Sequence, residues 1–72
     1  MGRTWGQVVD EAIEMLSVEA LTITNFMYKM NVDYSKIKRI IQELDERGIL
    51  EDFKKKTQSG RICIHYKVKR VE

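Results

Sequence analysis

The segment LTITNFMYKMNVDYSKIKRIIQELDERGIL, residues 21–50, decides the fold. It reads as two helices joined by a tight turn. In its second half Ile37, Ile40, Ile41 and Leu44 recur at the spacing of one face of a helix with roughly 3.6 residues per turn. Ser35, Arg39, Gln42 and Glu46 fall on the opposite face, with Lys36 and Lys38 on its flanks. A helix that is apolar behind and rich in Lys, Arg, Gln and Ser in front suits a major groove.

The turn itself is Asn31-Val32-Asp33. Asn tolerates left-handed geometry at a helix end, Asp33 is placed to cap the next helix, and Val32 and Ile37 occupy the staple positions around that cap. So short a connection is what a helix-turn-helix requires, because a longer one would let the two helices lie antiparallel. Gly48 is the stop signal after the second helix. Upstream, Thr22 is the expected cap, with Leu21 and Phe26 as its staple. Ile23, Phe26, Met27 and Met30 then face inward, and Thr24, Asn25, Tyr28 and Lys29 face out. Helical spacing makes the Met and Phe stripe core, not a binding surface.

A further helix precedes this pair across the short connection SVEAL. Thr4 and Gln7 have capping-box spacing, and Trp5, Val8, Val9, Ala12, Ile13 and Leu16 form a wide apolar stripe. Trp5 is large for an end position; it either closes the bottom of the core or meets a second chain. Beyond Gly48, EDFKKK, a turn at TQSG and RICIHYKVK read as a β-hairpin. Ile62, Ile64, Tyr66 and Val68 alternate with Arg61, Cys63, His65, Lys67 and Lys69. With Ser59-Gly60 as a tight two-residue turn, Phe53 falls opposite Tyr66 on the face of the isoleucines; a three-residue loop shifts that register by one. On the first register Cys63 and His65 point away from the core.

The expected architecture is therefore α+β, a single winged helix-turn-helix domain over residues 1–72. Its helices lie at about 5–17, 22–30 and 34–47, and its hairpin wing at about 50–69. The wing tip gathers Lys54, Lys55, Lys56 and Arg61 around Gln58, Ser59 and Gly60, small and basic residues that let the backbone approach phosphate closely. The alternative for such a hairpin is an edge blunted by lysines against aggregation.

Composition agrees with a small globular protein. The chain has 72 residues, 43% hydrophobic and 33% charged, and a net charge of +2. That charge is uneven: residues 1–33 carry two basic against five acidic side chains, a balance of −3, and residues 34–72 carry eleven against six, a balance of +5. One half suits an anionic partner and the other does not. The lone Cys63 cannot form a disulfide within the chain, and Cys63 with His65 supplies too few ligands for a structural zinc site, so no metal or cofactor is expected. No apolar run approaches the ~20 residues of a membrane span, and the N-terminus carries acids where a signal peptide would be apolar. A cytoplasmic protein with no membrane partner is expected.

The residues LTITNFMYKMNVDYSKIKRIIQELDERGILE resemble the small archaeal winged helix-turn-helix transcription regulators. The shared features are a Leu-Thr helix start, a central F-M-Y-K-x-N, an aromatic-bearing Y-x-x-x-K/R stretch and L-x-x-x-G-I/L-L/I-E. The resemblance implies a third helix that reads the major groove and a wing that crosses the backbone. It places Tyr34, Ser35, Lys36, Arg39 and Gln42 toward the groove, and Lys54, Lys55, Lys56, Ser59 and Arg61 on the wing. One feature departs: such regulators follow the last strand with a threonine-glycine turn and a long pairing helix, whereas this chain ends at KVKRVE. A homodimer, if formed, is then expected to use helix 1, Trp5 or a strand edge.

Two functions follow. As a transcription regulator on double-stranded DNA, the chain would use Lys36, Arg39 and Gln42 on base edges. Lys29, Lys38 and the wing lysines would hold phosphates, and the positive end of the second helix near Thr24 could hold another. The alternative is a protein-interaction winged helix inside a larger assembly, supported by Glu43, Asp45, Glu46, Glu51 and Asp52, which put negative charge beside the presumed DNA face. Enzyme chemistry is not expected: there is no oriented Ser/His/Asp or Cys/His set, no glycine-rich phosphate loop and no carboxylate pair in an apolar setting.

Overall fold

The computed structural model describes residues 2–69. Three helices, α1 (Trp5–Val18), α2 (Ile23–Met30) and α3 (Tyr34–Glu46), precede an antiparallel hairpin of β1 (Leu50–Lys56) and β2 (Ile62–Val68). Residues 70–72, on which the expected lack of a following helix partly rests, lie outside the described range.

Local signals set the helix ends. Thr4 accepts from the Gln7 N–H at 3.2 Å, and the Gln7 side chain accepts from the Thr4 N–H at 3.0 Å, which completes the capping box of α1. Thr22 caps α2 through the Asn25 N–H, and Asp33 caps α3 through the Lys36 N–H at 2.8 Å. Asn31 adopts φ 56°, ψ 50°, the left-handed conformation that ends α2 and turns the chain into α3. Gly48, at φ 73°, does the same after α3. There the Ile49 N–H reaches back to the Leu44 carbonyl, so the chain leaves the helix straight into β1.

The core draws on all three helices and the wing. Val8, Val9, Ala12 and Leu16 of α1 meet Leu21, Phe26 and Met30, Ile37, Ile40 and Leu44 of α3, and Val68 of β2. No polar or charged side chain is buried among the described residues, so burial and packing hold the fold without internal ion pairs. Trp5 departs from the stripe that spacing assigns to it: it is 36% exposed.

Two features of the sheet differ from the sequence reading. First, the register is the shifted one, with Phe53 opposite His65 and Asp52 opposite Tyr66. The cause is the loop. The Thr57 N–H donates to the Arg61 carbonyl at 2.7 Å and the Gly60 N–H to the Thr57 carbonyl at 3.0 Å. Gln58, Ser59 and Gly60 thus form a three-residue loop whose last member, Gly60, takes φ 86°. Phe53 consequently shares a face with His65 and Cys63, not with the isoleucines. Second, SVEAL is more than a connection. Leu21 exchanges both backbone hydrogen bonds with Tyr66, at 3.0 and 2.8 Å, and so gives β2 a neighbour on its other edge. Val68 is buried and Tyr66 half-buried, but Ile64 and Ile62 on the same face become 45% and 69% exposed. The outer half of the wing therefore extends past the helical core.

Candidate nucleic-acid interface

Every side chain assigned to the front of α3 is exposed: Tyr34, Ser35, Lys36, Lys38, Arg39 and Gln42. The buried trio Ile37, Ile40 and Leu44 fixes this orientation, since on one helix a buried face determines the solvent face. Neighbouring side chains further restrict three of them. The Lys38 ammonium lies 5.6 Å from the centre of the Tyr34 ring, one helical turn earlier. Gln42 donates to Glu46 at 3.3 Å. The Arg39 guanidinium sits 5.0 Å from the centre of the Trp5 ring, which belongs to a different helix.

On the wing, Lys54, Lys55, Lys56, Gln58, Ser59 and Arg61 are all exposed. The hydroxyls of Thr57 and Ser59 are hydrogen-bonded at 2.9 Å, which stiffens the tip. The other wing face carries Phe53 stacked on His65, with ring centres 5.9 Å apart and planes inclined by 17°. His65 Nδ1 lies 3.1 Å from the Cys63 carbonyl oxygen, the geometry of an Nδ1–H donor. Cys63 and His65 do point away from the core, and stacking leaves His65 half-buried rather than free.

Ion pairing divides the cations into two groups. Arg3 pairs with Glu11 at 2.8 Å, Lys29 with Glu19 at 2.9 Å, and Arg47 with Glu43 at 3.0 Å. Among the described residues, Lys36, Lys38 and Arg39 of α3, Lys54, Lys55, Lys56, Arg61 and Lys67 of the wing, and Lys69 just past it are in no ion pair. The free positive charge thus sits on the first two turns of α3 and on the wing. Lys29 differs from the other expected phosphate contacts, because Glu19 already holds its charge. Thr24 is exposed on the first turn of α2 and borders a shallow groove with Tyr28 and Asn31.

Sequence reasoning missed two contributors. Arg3, besides pairing with Glu11, donates to the Met30 carbonyl at 3.2 Å and lines a groove with Asn31 and Lys36. Trp5 lies under Arg39. Both bring the start of α1 beside the start of α3, a juxtaposition between distant parts of the chain that no periodicity encodes. Among the described residues no group of three or more His, Cys, Asp or Glu side chains is placed to hold a metal ion, and no helix is long and apolar enough to cross a membrane.

No family model matches this chain, and no curated protein matches it by sequence. Among solved structures it is similar to a "possible transcriptional regulator" from Methanosarcina mazei Go1. The two share 17% identity at a TM-score of 0.67, over 94% of this chain and 57% of that one. This likeness shows the fold, an α+β winged helix of three helices followed by a two-stranded antiparallel hairpin. The chain spans a little over half the length of that neighbour.

Proposed function

We propose that this chain is the duplex-DNA-binding module of a transcription regulator, with α3 in the major groove and the wing on the phosphate backbone. The observation that carries the reading is the separation of cations: acids hold Arg3, Lys29 and Arg47, while the α3 front and the wing keep theirs free. Unpaired Lys and Arg on adjoining elements supply the counterion-releasing contacts on which DNA affinity rests. The fold shared with a neighbour described as a possible transcriptional regulator supports it. In this reading Arg39 and Lys36 meet guanine edges and Gln42 an adenine, while Tyr34 and Ser35 contact the groove wall. Lys38, Lys54, Lys55, Lys56, Gln58, Ser59 and Arg61 hold phosphates, and Thr24 and Lys29 make contact at the second helix, Lys29 only after leaving Glu19. The module works without catalysis, in the cytoplasm, as a monomer or as a homodimer through α1 or the free edge of β1.

Selection of bound sequences from a random duplex pool tests this. Enrichment of one motif is the expected result, and a palindromic motif would mean two copies on two half-sites. A pool that returns unenriched favours the second reading, a protein-interaction module. That reading draws support from the wing itself, where Ile62, Ile64 and Phe53 are 69%, 45% and 41% exposed. Apolar side chains of that size contribute more to a protein interface than to a phosphate backbone.

A further inference from the structure

Trp5 is the chain's sole tryptophan, and the core does not use it fully. Phe26 is fully buried, whereas Trp5 stays 36% exposed. Its ring instead carries the Arg39 guanidinium at 5.0 Å from the ring centre. The nearest acid on the helix itself, Glu43, is taken by Arg47 at 3.0 Å. The indole is therefore the partner left to Arg39, and the two kinds of partner differ in consequence. A carboxylate would occupy the guanidinium N–H donors. A ring face attracts the cation without an oxygen acceptor to take those donors up.

We propose that Trp5 is a positioning residue for Arg39: it holds the guanidinium without an oxygen acceptor, so that N–H groups remain for the paired acceptors of one guanine edge. This rests on the DNA-binding reading above and extends it. The start of α1 becomes part of the interface, and specificity at one base pair depends on a residue outside the recognition helix.

The test uses the duplex selected by the wild-type chain and single-base-pair variants of it. The position read by Arg39 is the one where Arg39→Ala loses discrimination. There the wild type should favour its own base pair by roughly tenfold. Trp5→Leu should lose roughly three- to fivefold of that preference, the size expected for a ring–cation contact. Trp5→Phe should retain most of it. The salt dependence of all three should be alike, because no phosphate contact changes. In the Arg39→Ala background, Trp5→Leu should add nothing. A second readout leaves position 5 intact: duplex should change the Trp5 emission of the wild type more than that of Arg39→Ala. If Trp5→Leu, folded by circular dichroism, discriminates as sharply as the wild type, the assignment is overturned and the DNA reading stands. If duplex changes the emission of both proteins equally, the assignment is likewise overturned. A wild-type chain that binds no duplex overturns the DNA reading and the assignment with it.

Discussion

Arg39 and Lys55 are both exposed cations without an acid partner, yet they should respond differently to removal. Arg39 lies on the front of α3 with its guanidinium 5.0 Å from the Trp5 ring centre, so Arg39→Ala should relax preference at one base position by about 1–3 kcal/mol. Lys55 lies on β1 near the wing tip, so Lys55→Ala should weaken binding to all sequences alike and lower the salt slope by about one. Competition titrations against single-base variants separate the two; an unchanged preference in Arg39→Ala would contradict its role. At this scale the sequence was legible wherever cause and effect lie within a few residues. Thr4, Thr22, Asp33, Asn31 and Gly48 each bond or turn where residue type and spacing say they should. Trp5 was not legible, because its partner lies on another helix. The Lys29–Glu19 pair escaped because its acid lies across the connection between α1 and α2.

Elements pack according to their apolar faces, and those faces were readable along α1, α2 and α3; along β2 the period of two marks the face, but only Tyr66 and Val68 of it reach the core. The wing register was harder. Alternation tells which residues share a face within one strand, but the loop decides which residue faces which across the hairpin. Gly60 decides it here, by taking a left-handed conformation as the third loop residue. An alanine there meets no neighbour within 4 Å but must adopt φ 86°, so Gly60→Ala should cost roughly 1 kcal/mol through backbone strain alone. Amide exchange checks this at Thr57, whose N–H bonds the Arg61 carbonyl at 2.7 Å. Faster exchange there, with α1 unaffected, is the expected outcome; unchanged protection at Thr57 would show that the loop geometry is otherwise. The bridge between Leu21 and Tyr66 was beyond sequence reasoning because a single residue pair has no period. It matters to the site because it fastens β2 to the entry of α2, and so anchors the base of the wing against the helix-turn-helix.

Across the whole molecule, charge and fold point the same way. The N-terminal half is acidic and uses its cations internally, in Arg3–Glu11 and Lys29–Glu19. The C-terminal half is basic and, apart from Arg47–Glu43, holds its described cations outside ion pairs. The asymmetry was visible in the linear sequence, but only the structure shows that the free charges share two adjoining elements. The acids Glu43, Asp45 and Glu46 stand at the far end of α3 from Tyr34, so they limit how much of the helix can enter a groove without excluding its first two turns. The most direct test of this account is the affinity for a duplex measured by fluorescence anisotropy between ~50 and ~200 mM salt. With roughly five phosphate contacts from the wing and α3, log K should fall linearly with log salt at a slope of about −4 to −5, a loss of several hundredfold across that range. A slope near zero, or no binding at the lowest salt, would contradict it.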